Sequence, residues 1–185
     1  MALAPDPNHA LVVIDVQEGF DDPAWGRRDN PACEDNIATL MAAWRGVGRP
    51  IVVVRHDSTS PGSPLRPGQR GNDLRPGIDG DVLITKSVNS AFYGDPDLNA
   101  WLTERDVERL TICGVTTNHC CETTARMAGN LGYDVTFVLD ATHTFDRVGP
   151  DGVVIAAEEI ARVTAANLHG EFARVCSTAD VLAVA

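Results

Sequence analysis

Five short apolar runs rich in β-branched residues, separated by segments of helical spacing, constrain this chain more than any other feature. They lie at 10–14, 51–54, 82–85, 110–113 and 135–139, with a weaker sixth at 173–176. Each is apolar almost throughout rather than alternating, the pattern of strands covered on both faces of a parallel sheet. Between the first two runs, Ile37, Leu40, Met41, Trp44 and Val47 fall on one helical face, with Pro31 near its start and Gly48 just past its end. Asp95-Pro96 reads as the N-cap and first residue of a helix carrying Leu98, Trp101 and Leu102. A third helix is expected over about 119–131. A last one should come after Gly149-Pro150 and run through Val153, Ala157, Ile160, Val163 or Thr164, and Leu168. The expected fold class is α/β: a doubly wound parallel sheet of five or six strands with helices on both faces, in three layers of Rossmann-like type.

Composition narrows the class further. At 185 residues and 44% hydrophobic, the chain is expected to form one domain over 1–185 with a sizeable core. One stretch breaks the rhythm: residues 58–80 carry Pro61, Pro64, Pro67 and Pro76 with Gly62, Gly68, Gly71 and Gly77, which disfavours a regular element. So long a loop is either a lid, binding loop or partner-facing arm, or a solvated connection. With 26 acids against 15 Lys plus Arg and no basic cluster, the net charge of −11 opposes contact with a phosphate backbone, so nucleic acid is excluded as a partner.

No apolar run is long enough to span a bilayer, and the N-terminus lacks a positive segment followed by a long apolar one. A cytoplasmic protein without a membrane partner is expected. Cysteines at 33, 113, 120, 121 and 176 are odd in number and irregular in spacing, which argues against a disulfide framework and for a reducing compartment. Histidines at 9, 56, 119, 143 and 169 offer no ligand-spaced pair, so no metal is expected. No G-x-G-x-x-G comes after the first run, where Asp-Val-Gln-Glu-Gly-Phe stands instead, and no cofactor is expected.

In parallel α/β sheets, ligands sit at the carboxyl ends of strands. Three polar residues are placed there: Asp15 after Leu-Val-Val-Ile, Lys86 after Val-Leu-Ile-Thr, and Cys120 just beyond Leu-Thr-Ile-Cys-Gly-Val. Singly, each has an ordinary reading as a cap, a surface charge or a packed thiol. Together they form a chemical set. An ammonium and a helix N-terminus would favour the thiolate of Cys120, and a carboxylate would take and return its proton.

Three segments carry a resemblance that covers nearly the whole chain: Val-Val-Ile-Asp15-Val-Gln17-Glu-Gly-Phe20, Ile-Thr-Lys86-Ser-Val-Asn89-Ser-Ala-Phe92, and Cys-Gly114-Val-Thr-Thr-Asn-His-Cys120-Cys-Glu-Thr-Thr-Ala-Arg126. In order and spacing they resemble the signatures of the isochorismatase-like cysteine hydrolases. The segments Gly132-Tyr133-Asp134-Val135 and Asp140-Ala141-Thr142 also resemble the stretch after the nucleophile in that family. The resemblance implies a triad with Asp15 as base, Lys86 as activator and Cys120 as nucleophile. It further implies a cis Val115–Thr116 bond and an oxyanion hole formed by the backbone N–H groups of Thr116 and Cys120. Cys121 then reads as core.

Family members acting on isochorismate, a vinyl ether, typically lack the cysteine, so Cys120 points to C–N bond hydrolysis by way of a thioester. Candidate substrates are a small carboxamide, a lactam or a ureido compound. Nicotinamidases usually carry an Asp-x-His with a further His that bind a metal. This chain has His56-Asp57 and no further histidine until His119, which places a nicotinamide-like aromatic amide second. Candidate pocket residues are Phe20, Trp25, His56, Asn89, Phe92, Tyr93, His119 and Phe145, near strand ends where they could cradle a flat amide. Asp146-Arg147 reads as a surface ion pair. The family's habit of forming dimers to octamers implies a homo-oligomer. The alternative class is a small-molecule-binding or regulatory protein on the same scaffold, without turnover.

Overall fold

The computed structural model describes residues 4–183. Six parallel strands form one sheet: β1 (His9–Ile14), β2 (Ile51–His56), β3 (Val82–Lys86), β4 (Arg109–Val115), β5 (Asp134–His143) and, completing it late in the chain, β8 (Arg174–Cys176). A separate hairpin pairs β6 (Arg147–Val148) with β7 (Val154–Ile155). The strand order in the sheet is β3-β2-β1-β4-β5-β8. The chain therefore winds outward from β1 to β3, then returns to lay β4 against the other side of β1. This reversal between β1 and β4 is where open α/β sheets open a crevice at the carboxyl ends of their strands.

All six runs anticipated from the sequence are strands, the weak sixth included. Two layers cover them. On one face, α1 (Cys33–Val47) and α5 (Thr178–Ala183) seal a core of Leu11, Val13, Ile37, Leu40, Trp44, Cys113 and Val138. On the other, α2 (Leu98–Thr103), α3 (Glu122–Asn130) and α4 (Ala157–Leu168) seal Val12, Ile14, Leu98, Leu102, Ile112, Ala125, Phe137 and Leu168. Helix α1 ends as expected at Gly48, whose φ of 69° lies in the left-handed region.

Three boundaries differ from the sequence expectation. The N-cap of α2 is Asp97, which accepts from Ala100 N–H at 2.8 Å, while Asp95 exchanges backbone hydrogen bonds with Thr85. Helix α4 starts at Ala157, because Val153 belongs to the turn of the β6–β7 hairpin. Its buried stripe runs through Thr164, leaving Val163 exposed. A π-helical turn (Thr117–Cys121) precedes α3, so the helix expected from 119 begins irregularly.

The Pro/Gly-rich loop is anchored at the strand ends. Asn72, itself buried, donates from Nδ2 to the carbonyls of His56 (3.1 Å) and Leu65 (3.0 Å) and to Asp57 Oδ1 (2.9 Å). Gly19 and Gly71 permit this approach, since a Cβ on Gly19 would lie 2.6 Å from the Gly71 carbonyl oxygen. Among the described residues, no helix is long and apolar enough to cross a membrane.

Candidate active site

The strand order decides what meets at the carboxyl edge. Asp15 comes directly after β1 and Cys120 after β4, on the two sides of the reversal; Lys86 ends β3, two strands away. With neighbouring strands about 4.8 Å apart, β3 and β1 are separated by some 10 Å across β2, a gap that a lysine from one side and an aspartate reaching in from the other can close. Lys86, the only lysine in the sequence, reaches in from β3. Its Nζ donates to Asp15 Oδ2 at 2.6 Å, both side chains being wholly buried.

His56 stands between them at the end of β2. Its Nδ1 lies 3.2 Å from Lys86 Nζ and accepts from the ammonium. Asp15 Oδ1, Asp15's second oxygen, is buried and has no hydrogen-bond partner among the described residues. One donor atom each from Asp15, His56 and Cys120 lie within 4.8 Å of one another. Such a trio could in principle ligate a cation, but the Lys86 ammonium is already bonded to two of the three groups, so the charge at this spot is supplied by the chain itself.

Local backbone explains the convergence. Asp15 adopts φ 52°, a left-handed conformation tolerated by Asp, immediately after its N–H closes the β1 ladder on the Val54 carbonyl. Gly114 has φ 129°, and a Cβ there would lie 2.0 Å from the Ile14 carbonyl oxygen, so only glycine lets β4 pass this close to the strand that delivers Asp15. The Val115–Thr116 bond is cis. Beyond it, the Thr116 carbonyl accepts the N–H groups of His119 (3.2 Å) and Cys121 (3.3 Å), a widened turn that passes over the N–H of Cys120 between them. Thr117 Oγ1 bonds Thr142 Oγ1 at 2.9 Å, tying the turn to β5.

Burial, then the negative Asp15, push the Cys120 thiol upward, and Lys86 opposes them without prevailing, a balance that favours the protonated sulfur. Burial lowers Lys86, but the neighbouring Asp15 and Cys120 outweigh it and hold the ammonium above its ordinary range. Burial and then Lys86 lower His56.

The remaining sequence candidates divide. Phe20, Trp25 and Phe145 stack, with centroids 5.2 Å (Phe20–Trp25), 5.6 Å (Trp25–Phe145) and 6.4 Å (Phe20–Phe145) apart, and pack with Leu65 of the loop and Val115 beside the cis bond. Asn89 places Oδ1 3.6 Å from Cys120 Sγ. His119 turns to Arg147, whose Nη2 lies 3.3 Å from its Nδ1. Phe92 and Tyr93 do not join the aromatic stack: Phe92 packs on Tyr133 at 5.9 Å and Tyr93 is 70% exposed. The 3-10 turn that holds them, Ala91–Tyr93, directs its ring residues away from the stack. The expected Asp146–Arg147 pair is absent, because Arg27 takes Asp146 at 2.7 Å and leaves Arg147 beside His119. Cys121 is fully buried, and all five cysteines are free.

Two buried polar residues escape a reading of the sequence. Gln17 donates from Nε2 to the carbonyls of His56 (3.0 Å) and Asn72 (2.9 Å) and accepts the His56 N–H at Oε1 (2.9 Å), locking β2 to the loop. Its position two residues after Asp15 in an apolar setting is the signal that could have found it. His143 is buried edge-on to Phe145 and Phe20, with 3.8 Å between Nε2 and Glu34 Oε1. Burial and then Arg28 depress its pKa to about 4.

The same architecture recurs in known proteins. The family model for the isochorismatase domain matches residues 9–180. An uncharacterized isochorismatase family protein of Bacillus subtilis, YrdC, is 36% identical over 176 residues, 94% of each chain. Nicotinamidase 3 of Arabidopsis thaliana is 32% identical, covering 91% of this chain and 85% of its own. A crystal structure of an isochorismatase-family protein from Chromobacterium violaceum superposes with a TM-score of 0.91 at 40% identity, over 99% of this chain and 96% of that one. With the family model spanning most of its length and these relatives alongside, the chain belongs to the isochorismatase family of hydrolases.

Proposed function

We propose that this protein hydrolyses a C–N bond of a small carboxamide, lactam or ureido compound through a thioester on Cys120, without a metal. The observation that carries the reading is the buried Lys86–Asp15 pair at 2.6 Å, with Cys120 within reach of the carboxylate.

Because the resting thiol holds its proton, attack needs a base, and the unpartnered Oδ1 of Asp15 is an acceptor at the right place. As sulfur bonds to the substrate carbonyl carbon, the proton passes to Asp15. Negative charge grows on the carbonyl oxygen, where the N–H groups of Thr116 and Cys120 are suited to receive it. Collapse breaks the C–N bond, and Asp15 returns the proton to the departing nitrogen. Water then gives its proton to Asp15 and attacks the thioester, and the acid leaves as sulfur regains a proton. Lys86 keeps the carboxylate oriented and offsets negative charge on sulfur; His56 fixes the ammonium from the other side.

The stacked Phe20, Trp25 and Phe145 favour a flat substrate. Nicotinamide-like amides rank second, although one relative carries the name nicotinamidase, because here His56 is bonded to Lys86 and His143 is buried among aromatic rings. A turnover screen over small amides, lactams and ureido compounds, read by ammonia release for the amides and ureido compounds and by mass spectrometry of the ring-opened product for the lactams, and repeated with Cys120→Ala, tests the reading. Turnover that survives the substitution in full would contradict it.

A further inference from the structure

At the opposite, amino-terminal edge of the sheet, the α1 face loses its apolar character. Moving down that face, the row Leu11–Thr111–Thr136–Arg174 is in register across β1, β4, β5 and β8, and beneath it lies the row His9–Arg109–Asp134. Thr111 and Thr136 are buried where Val or Leu would complete the core. They line a cavity of about 140 Å³ with Trp44 and Arg49 on one side and Arg174 at the rim. At about 30 Å³ per water, the space holds four or five waters, or one small polyatomic ion with a water or two.

The hydrogen bonding makes this cavity a set of donors. Arg49 Nη1 lies 3.2 Å from His9 Nδ1, and since a guanidinium only donates, Nδ1 is the acceptor. His9 Nε2–H then donates to Thr111 Oγ1 at 2.8 Å, and the Thr111 hydroxyl is left with a proton to give. Thr136 Oγ1 accepts from Arg174 Nη2 at 3.5 Å and is in the same condition. Arg49 is held over the Trp44 ring at 5.2 Å and by the Ala4 carbonyl at 2.9 Å. Arg109 pairs with Asp6, but among the described residues neither Arg49 nor Arg174 has a carboxylate partner. The carboxylates of Asp6, Asp134 and Asp180 balance the three guanidinium groups in number, but only Arg109 is held in an ion pair, so Arg49 and Arg174 keep N–H donors free for a ligand.

We propose that this cavity is a binding site for a small oxyanion, held by Arg49 and Arg174 and by the hydroxyls of Thr111 and Thr136, distinct from the Cys120 centre and independent of its chemistry. The shared chemistry is a compact group with several acceptor oxygens, either a phosphate or a carboxylate.

The test is thermal unfolding and titration calorimetry with inorganic phosphate, sodium acetate and sodium chloride at matched ionic strength. A saturable rise in Tm of about 5 °C or more is expected with phosphate or acetate over chloride, and whichever anion produces it identifies the source. Calorimetry should give one site per chain. Arg174→Gln, on the exposed rim, should weaken the apparent Kd about tenfold, and Thr136→Val should weaken it to a lesser degree. Absence of saturable binding by both anions, or binding left unchanged by both substitutions, would overturn the proposal.

Discussion

The two edges of the sheet carry similar ingredients and dispose of them differently. At the carboxyl edge, one lysine, one aspartate and one histidine are matched: Lys86 bonds Asp15 and His56, and its charge is turned onto a neighbouring sulfur. At the amino edge, three arginines and His9 surround a cavity in which donors outnumber acceptors. The difference teaches where the fold can concentrate reactivity. The β1–β4 reversal brings loop residues together only at the carboxyl edge, so opposite charges meet there with a nucleophile. The amino edge presents strand starts in simple register, an array suited to holding a ligand rather than transforming one.

Substitutions and one titration sharpen that contrast. The largest effect is expected from Cys120→Ala, which should lower turnover of any substrate by about 10⁴-fold or more while leaving the unfolding midpoint nearly unchanged, as read by product formation beside calorimetry. Next, Lys86→Met strands a buried carboxylate and should cost about 3–5 kcal/mol together with activity. The double variant Lys86→Met, Asp15→Asn, which removes both charges and keeps a residue that tolerates φ 52° at 15, should recover part of that stability in urea denaturation and none of the turnover.

Smaller again is Gln17→Leu, which removes three hydrogen bonds at the loop anchor. It should cost about 1–3 kcal/mol and speed proteolysis within 58–80 relative to the rest of the chain. At the other edge, Arg109→Gln breaks only the exposed pair with Asp6 and should cost about 1 kcal/mol or less. An effect of another kind is on the slope of acid stability. Burial, then Arg49 and Arg109, depress His9 to about 4 at one edge, and His143 stands at about 4 near the other, with Arg28 and Arg75 opposing its protonation and Glu34 favouring it. An unfolded histidine titrates near 6.5. Between those values the unfolded chain binds more protons than the folded one, so stability is present above about pH 6.5 and is lost as pH falls toward 4. Unfolding free energies across that window should show a shallower slope in His9→Asn and in His143→Phe, each by up to one proton.

Much of the fold and the central trio was legible in the sequence because both rest on local signals. Buried parallel strands announce themselves as unbroken apolar runs, and Asp15, Lys86 and Cys120 each stand just past one. What was not legible depended on partners distant along the chain. Arg27 wins Asp146 across 119 positions, which adjacency to Arg147 could not reveal. Phe92 and Phe145 look alike in sequence, yet one packs on Tyr133 and the other on Trp25. Val153 fitted the helical stripe of α4, and the hairpin turn at Gly149–Gly152 claimed it instead. The protonation state of Cys120 also required the fold, since burial outweighs the lysine whose presence the sequence shows.

The central claim is that Cys120 becomes acylated while its neighbour Cys121 does not. Acid-quenched mass spectrometry of the protein, mixed with the carboxamide that releases ammonia fastest in the screen, tests it most directly. The peptide spanning both cysteines should gain the mass of the acyl group at residue 120, discharge it on treatment with hydroxylamine, and show no gain in Cys120→Ala. Steady turnover with no acyl mass on that peptide, and undiminished in Cys120→Ala, would contradict the account.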